Sequence, residues 1–176
     1  MSSRSRLVQS TLTVVILLVA VLSMSAQAAP GDTVLHAAEA GKVLPPAVFF
    51  RGQSAPVQAR NSGGIKFSDG MMVLAALVDN SGYSTAVQQK YQAYFITEVA
   101  INISGHPLPP GAYGVGFVSG HFEVMDIGNH DLFSVDGTRD ADLKRPTPLQ
   151  VVADSAPGKY RLYEGRDFVV ISRATP

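Results

Sequence analysis

The chain of 176 residues has no cysteine and no tryptophan. Without cysteine there is no disulfide, no thiolate nucleophile, no thiolate-ligated zinc and no lipid-modified thiol. There is also no excess of charge, because 14 Lys and Arg balance 14 Asp and Glu. That balance provides no electrostatic footprint for nucleic acid or for an anionic membrane surface. No G-x-S-x-G nucleophile elbow occurs. Internal repeats, heptads, low-complexity tracts and a linker between two domains are likewise missing. Present instead is a hydrophobic content of 46%, enough for a packed core and too much for wholesale disorder.

Arg4 and Arg6 precede an uncharged run from Leu12 to Leu22, followed by Ala26-Gln27-Ala28. A basic start, a short apolar run and an Ala-x-Ala site predict a secretory signal peptide over residues 1–28. The run is shorter than the roughly 20 apolar residues of a bilayer span, so no membrane span is expected after cleavage. The expected mature protein is a single domain over residues 29–176. Loss of Arg4 and Arg6 leaves it with 12 basic and 14 acidic residues. The implied setting is a bacterial periplasm or the extracellular space. A cysteine-free exported domain must draw its stability from its core.

Asp32 is placed to cap a short helix through Val34, Leu35, Ala37 and Ala38, with Gly41 past its end. Leu44-Pro45-Pro46 then breaks any helix. Strands are predicted over 47–51, over 56–60 as an edge, and over 65–67 after the Asn61-Ser62-Gly63-Gly64 turn signal. Residues 71–78 are eight consecutive apolar residues, read as a central strand covered on both faces. Residues 85–91 fit either a helix capped by Ser84 or an approach to the next strand. Residues 93–103 alternate, with Phe95, Thr97, Val99, Ile101 and Ile103 on the core face. Gly105 to Gly111 reads as a stiff turn. Residues 112–118 and 121–127 read as a hairpin across Ser119-Gly120. Residues 128–148 read as a long mobile surface loop anchored by Leu132 and Phe133. Strands over 149–153, 159–163 and 168–172 close the chain. The expected fold class is all-β, mainly an antiparallel sandwich or small barrel, with one short N-terminal helix after the signal peptide.

The densest set of metal-ligating side chains is His121, Glu123, Asp126 and His130, with Asp131 alongside. Imidazole and carboxylate there could bind zinc if the chain turned at Gly128-Asn129. The alternative is a polar outer strand face followed by a turn. Asp136, Thr138, Asp140 and Asp142 place oxygen atoms at every second position, but Ala141 and Thr147 stand where a helix–loop–helix calcium site needs Gly and a carboxylate. Gly114, Gly116 and Gly120 are spaced G-x-G-x-x-x-G, not as a dinucleotide fingerprint, and glycines on strands mark bulges, bends or close backbone approach. Six tyrosines, 83, 91, 94, 113, 160 and 163, could line a binding surface or fill core edges. Arg161 shares a strand face with Tyr163. Asn102-Ile103-Ser104 is a glycosylation sequon, expected to be unused in a bacterial setting.

Residues 98–118, EVAINISGHPLPPGAYGVGFV, and 159–172, KYRLYEGRDFVVIS, resemble the hairpin and closing strands of uncharacterised secreted bacterial β-sandwich domains. The resemblance implies a secreted all-β domain and carries over no catalytic residue. The expected function is an exported, non-enzymatic binding or accessory module, without a cofactor, whose partner is an envelope component or a small ligand. The rival expectations are a metal-assisted or carboxylate-based hydrolase and a self-assembling structural surface protein.

Overall fold

The computed structural model describes residues 31–174. The signal-peptide expectation, residues 1–28, lies outside the described residues. In chain order the elements are β1 (Thr33–Leu35), α1 (Ala37–Val43), β2 (Ala47–Phe50), β3 (Gln53–Lys66), β4 (Met72–Val78), α2 (Thr85–Lys90), β5 (Ala93–Thr97), β6 (Ile101–Ile103), β7 (His106–Leu108), β8 (Gly111–Val118), β9 (His121–Asp126), β10 (Asp131–Asp136), β11 (Thr138–Arg139), β12 (Leu149–Ala153), β13 (Lys159–Glu164) and β14 (Asp167–Arg173).

These strands form two antiparallel sheets. The first runs β1-β3-β4-β5-β8-β9-β10, with β2 paired to β3; the second runs β12-β13-β14-β6-β7, with β11 paired to β14. Alternation along each strand sends one set of side chains between the sheets. Ile65, Val73, Phe95 and Val124 from the first sheet meet Ile101, Leu162 and Ile171 from the second in the main core.

The outer face of the first sheet is covered as well. Leu74 and Ala76, opposite in parity to Val73 and Ala75, pack with Leu35, Ala40 and Leu44 around α1. Val48, Phe50 and Ala55 pack with Tyr83, Val87, Tyr91 and Met125 in a further cluster that includes α2. Burial on both faces explains why β4 is apolar without alternation. It stands between β3 and β5, as its uninterrupted apolar run predicts.

Several boundaries differ from expectation. The first helix begins at Ala37 behind His36, because Thr33, Val34 and Leu35 pair with Lys66, Ile65 and Gly64 as a strand. Asp32 therefore caps nothing; its carboxylate accepts hydrogen bonds from Tyr160 Oη at 2.8 Å and Ser68 N at 2.9 Å. Asn61 to Gly64 is no turn but the middle of the 14-residue β3. A Cβ on Gly63 would lie 2.9 Å from Val151 N on β12, so the glycine admits the other sheet's backbone. Between Val57 and Ser62 the pairing with β4 slips, five residue steps facing the two from Val78 to Ala76.

Residues 93–103 are two strands, not one. β5 belongs to the first sheet and β6 to the second, yet Phe95, Thr97, Ile101 and Ile103 are all buried as the alternation predicts. The segment read as a stiff turn holds β7, which pairs with β6 across Ser104-Gly105, both at positive φ. The β8–β9 hairpin turns at Ser119-Gly120 as expected, again with both φ positive, the geometry a two-residue hairpin loop demands. Residues 128–148 are not one loop. β10 extends the first sheet and β11 joins the second, which leaves residues 140–148 as the one long irregular stretch, beside the short turn at 128–130. Leu132 is exposed; Phe133 packs partly buried against the main core, as expected, and stacks on His106 of β7 with ring centroids 5.3 Å apart, and Val135 is a second, buried anchor.

Candidate functional site

Both helices and both smaller apolar clusters lie on the first sheet. The outer face of the second sheet mixes polar side chains with Val152, Val170, Tyr163 and Phe168. Its rows follow from strand register. Lys159 pairs with Ser172, and Ser172 with Asn102, so these three side chains form one line across β13, β14 and β6. The next line is Val152, Arg161 and Val170. Ser104 adjoins it, since its backbone N donates to Val170 O at 2.8 Å. A third line holds Gln150, Tyr163 and Phe168.

Arg161 organises the middle of this face. Its guanidinium lies over the Phe168 ring, 4.7 Å from the centroid. Nε donates to Asp154 Oδ2, and Nη1 donates to Tyr163 Oη at 3.3 Å. Tyr163 Oη donates in turn to Asp140 Oδ2 at 2.8 Å. The backbone N–H of Ala156, followed by the Arg161 guanidinium, holds the Asp154 carboxyl down at about 2. Hydrogen bonding to Tyr163 leads the causes that lower Asp140. Arg166 donates to the carbonyls of Ala141 and Leu143 and fastens residues 140–143 beside the network. The expected proximity of Arg161 and Tyr163 is thus realised. The pair is knitted into the protein, however, and Tyr163 is buried at 2% exposure.

Next to this network is a shallow depression of about 540 Å³. It is lined by Asn102, Ser104, Asp154, Lys159, Val170 and Ser172, with Gly105 and Ala156 at its margin. Two lines of the sheet supply the floor, and the turns at 104–105 and 154–158 supply the walls. The sequence reading missed it. Asn102 and Ser104 stand out in the sequence only as a glycosylation sequon, Ser172 belongs to no motif, and β6 and β14 are neighbours only through long-range pairing.

The four metal candidates separate into pairs. His121 Nδ1 lies 3.0 Å from Asp136 Oδ1, and His130 Nδ1 lies 2.9 Å from Asp126 Oδ2. These pairs sit at opposite ends of β9, separated by five residue steps of about 3.3 Å each, far beyond one ion's coordination sphere. Glu123 shares a strand face with His121 but accepts a hydrogen bond at 3.0 Å from the Oγ of Ser134, its cross-strand partner on β10. Among the described residues no three His, Asp or Glu side chains converge as metal ligands. The aspartates at alternate positions after β9 also part company, Asp136 to His121 and Asp140 to Tyr163.

The tyrosines are packing residues. Tyr83, Tyr91, Tyr113, Tyr160 and Tyr163 are buried, and Tyr94 packs partly buried on the smaller clusters. Tyr91 stacks on Phe50 with centroids 3.8 Å apart. A Cβ on Gly114 would lie 2.4 Å from the Phe50 ring, and one on Gly116 would lie 2.4 Å from Lys90 O. The glycine pair therefore makes room for an aromatic stack and the end of α2.

No family model, curated protein or solved structure matches this chain. Among the described residues no helix is long and apolar enough to cross a membrane.

Proposed function

We propose that the protein is an exported binding module of the cell envelope or extracellular space, and that it binds through the outer face of the second sheet. The observation that carries this reading is the depression on that face. Its side chains from Asn102, Lys159 and Ser172 make no hydrogen bond or ion pair with the described residues. Asn102 and Ser172 are half-buried and Lys159 is exposed, and polar groups uncommitted inside the protein are available to a ligand. The supporting frame is stiff, because paired strands on a packed core hold the row in place.

The test is an amide chemical-shift map of the protein recorded against a panel of about a hundred small polar fragments. Responses should gather on residues 102–105, 154–161 and 170–172. A response gathered on another surface, or none above background, would sink the reading. Export is tested separately by intact mass of the secreted protein, which should begin at Ala29. A secreted chain that retains Arg4 and Arg6 contradicts cleavage after Ala28.

A further inference from the structure

We infer that the line Lys159–Ser172–Asn102, with Ser104 beside it, is a subsite for a hydroxylated ligand unit bearing one carboxylate, an acidic sugar in chemical class. The inference rests on the binding-face reading above and narrows it to a ligand chemistry.

Charge comes first. The depression and its border hold Lys159, Arg161 and Asp154. Arg161 and Asp154 neutralise each other, and Asp154 is only 11% exposed at its side chain. Its Oδ1 is also occupied, by Ala156 N at 3.0 Å and by Ser155 Oγ at 3.1 Å. One ammonium, that of Lys159, remains uncompensated. A single carboxylate balances it, whereas a phosphate dianion would leave the site with net negative charge. An ammonium is a point charge without a planar fork, so it sets the sign of the ligand's charge and leaves its shape to the neighbouring hydrogen-bonding groups.

Hydrogen bonding comes second. Ser172 and Asn102 offer a hydroxyl and an amide in line with Lys159, each able to donate and accept. Adjacent strands are about 4.8 Å apart, so the row presents polar groups at the spacing of hydroxyls on alternate, not neighbouring, carbons of a hexose-sized ring. Ser104 adds a second hydroxyl, engaged only weakly by Val170 N at 3.4 Å. Acceptors and donors in mixed order suit a polyol, whose hydroxyls do both, better than a simple carboxylic acid.

Apolar contact comes third. The aromatic rings of this face, Tyr163 and Phe168, are buried, so no ring is offered for stacking. Val170 is the apolar floor of the depression. A single sugar unit can rest its C–H edge there. The volume of about 540 Å³ lies within the roughly 300–1,000 Å³ range of small-ligand sites. The depression is open, so affinity near millimolar is expected, about 4 kcal/mol.

The probes are glucuronate, glucose, acetate and inorganic phosphate, each titrated into the labelled mature protein. Glucuronate should move the amides of residues 102, 104, 159 and 172 saturably. Its affinity should exceed that of glucose and of acetate by about tenfold, the loss of one charge-assisted contact or of the hydroxyl contacts. Lys159→Gln should erase the advantage of glucuronate over glucose and leave glucose binding as it was. Ser172→Ala should weaken both sugars. All four replaced or probed side chains are at the surface, and an unchanged melting curve verifies the fold of each variant. Equal binding of glucose and glucuronate overturns the assigned charge. Phosphate or acetate binding as tightly as glucuronate overturns the polyol assignment and leaves a plain anion site. Silence of these amides to every probe overturns the subsite; the fragment map, which uses other ligands, then decides whether the face reading fails with it.

Discussion

Gly114 shows how a single missing side chain shapes the outer layer. Its φ is not the constraint; the space above it is. Phe50 and Tyr91 are fully buried and stacked, so neither ring can retreat from an added methyl. Gly114→Ala should therefore lower unfolding free energy by roughly 2 kcal/mol or more, read in urea melts. Pairing it with Phe50→Leu should recover part of the loss, because the two changes share one contact. Strict additivity would show that the clash is not with Phe50. Glu164 is the second telling residue. Burial, aided by the neighbouring Asp167 carboxylate, raises its pKa from an ordinary 4.5 to about 7, against the opposing backbone N–H of Phe117. The native state keeps this proton over a range where the unfolded chain has released it. Its contribution is thus fully present below about pH 4.5 and is lost as pH rises through about 7. Glu164→Gln should leave melting unchanged at pH 4 and stabilise the protein at pH 8 by about 1–2 kcal/mol, reduced from the full linkage value by the partial exposure of the site. Equal effects at both pH values would rule out the proton as the cause.

At the scale of elements, the stretch after β9 is the instructive one. A composition rich in Asp and poor in large apolar residues reads as a loop, yet β10 pairs with β9 from Asp131 to Asp136. Its alternation is legible afterwards: Val135 points inward, while Asp131, Ser134 and Asp136 are exposed. An edge strand needs little apolar content, and charged residues on an edge discourage pairing with another chain. In hydrogen exchange, the β10 amides that bond to β9 should be protected at a level near those of β9 itself. The amides of residues 140–148, held by Arg166 and a few backbone contacts, should exchange first. Comparable fast exchange throughout residues 131–148 would mean that β10 opens with the loop. The same scale explains the split of residues 93–103. Alternation reports which side chains face the core, and both β5 and β6 face one core from opposite sheets. The period alone does not record that the chain changes sheet at residues 98–100.

The whole molecule is closed by contacts far apart in sequence. Asp32 at the start of β1 accepts from Tyr160 Oη on β13, 128 positions later. Arg173 donates to Asp69 and lies 5.1 Å over the Phe67 ring, joining the last strand to the β3–β4 turn. These links clasp the two sheets at one rim, while His106 on Phe133 joins them at the other. Tyr160→Phe should cost about 1 kcal/mol and leave Asp32 with Ser68 alone. Because both sheets contribute to one core, the loss should appear as a lower midpoint of a single cooperative transition. Two separate transitions would show that the sheets unfold apart. The all-β class, the double burial of β4, the β8–β9 hairpin and the three closing strands were legible in the sequence, because hydrophobic period and turn chemistry are local properties. The same local chemistry placed His121, Glu123, Asp126 and His130 within ten residues of one another. An extended strand carried its ends apart, and each histidine took an aspartate of its own. The role of Gly63 and Gly114, the burial of five of the six tyrosines and the polar row of Lys159, Ser172 and Asn102 were decided by tertiary structure alone. Each depends on which strands become neighbours, and that is set by the burial of the whole core rather than by any segment's own preference.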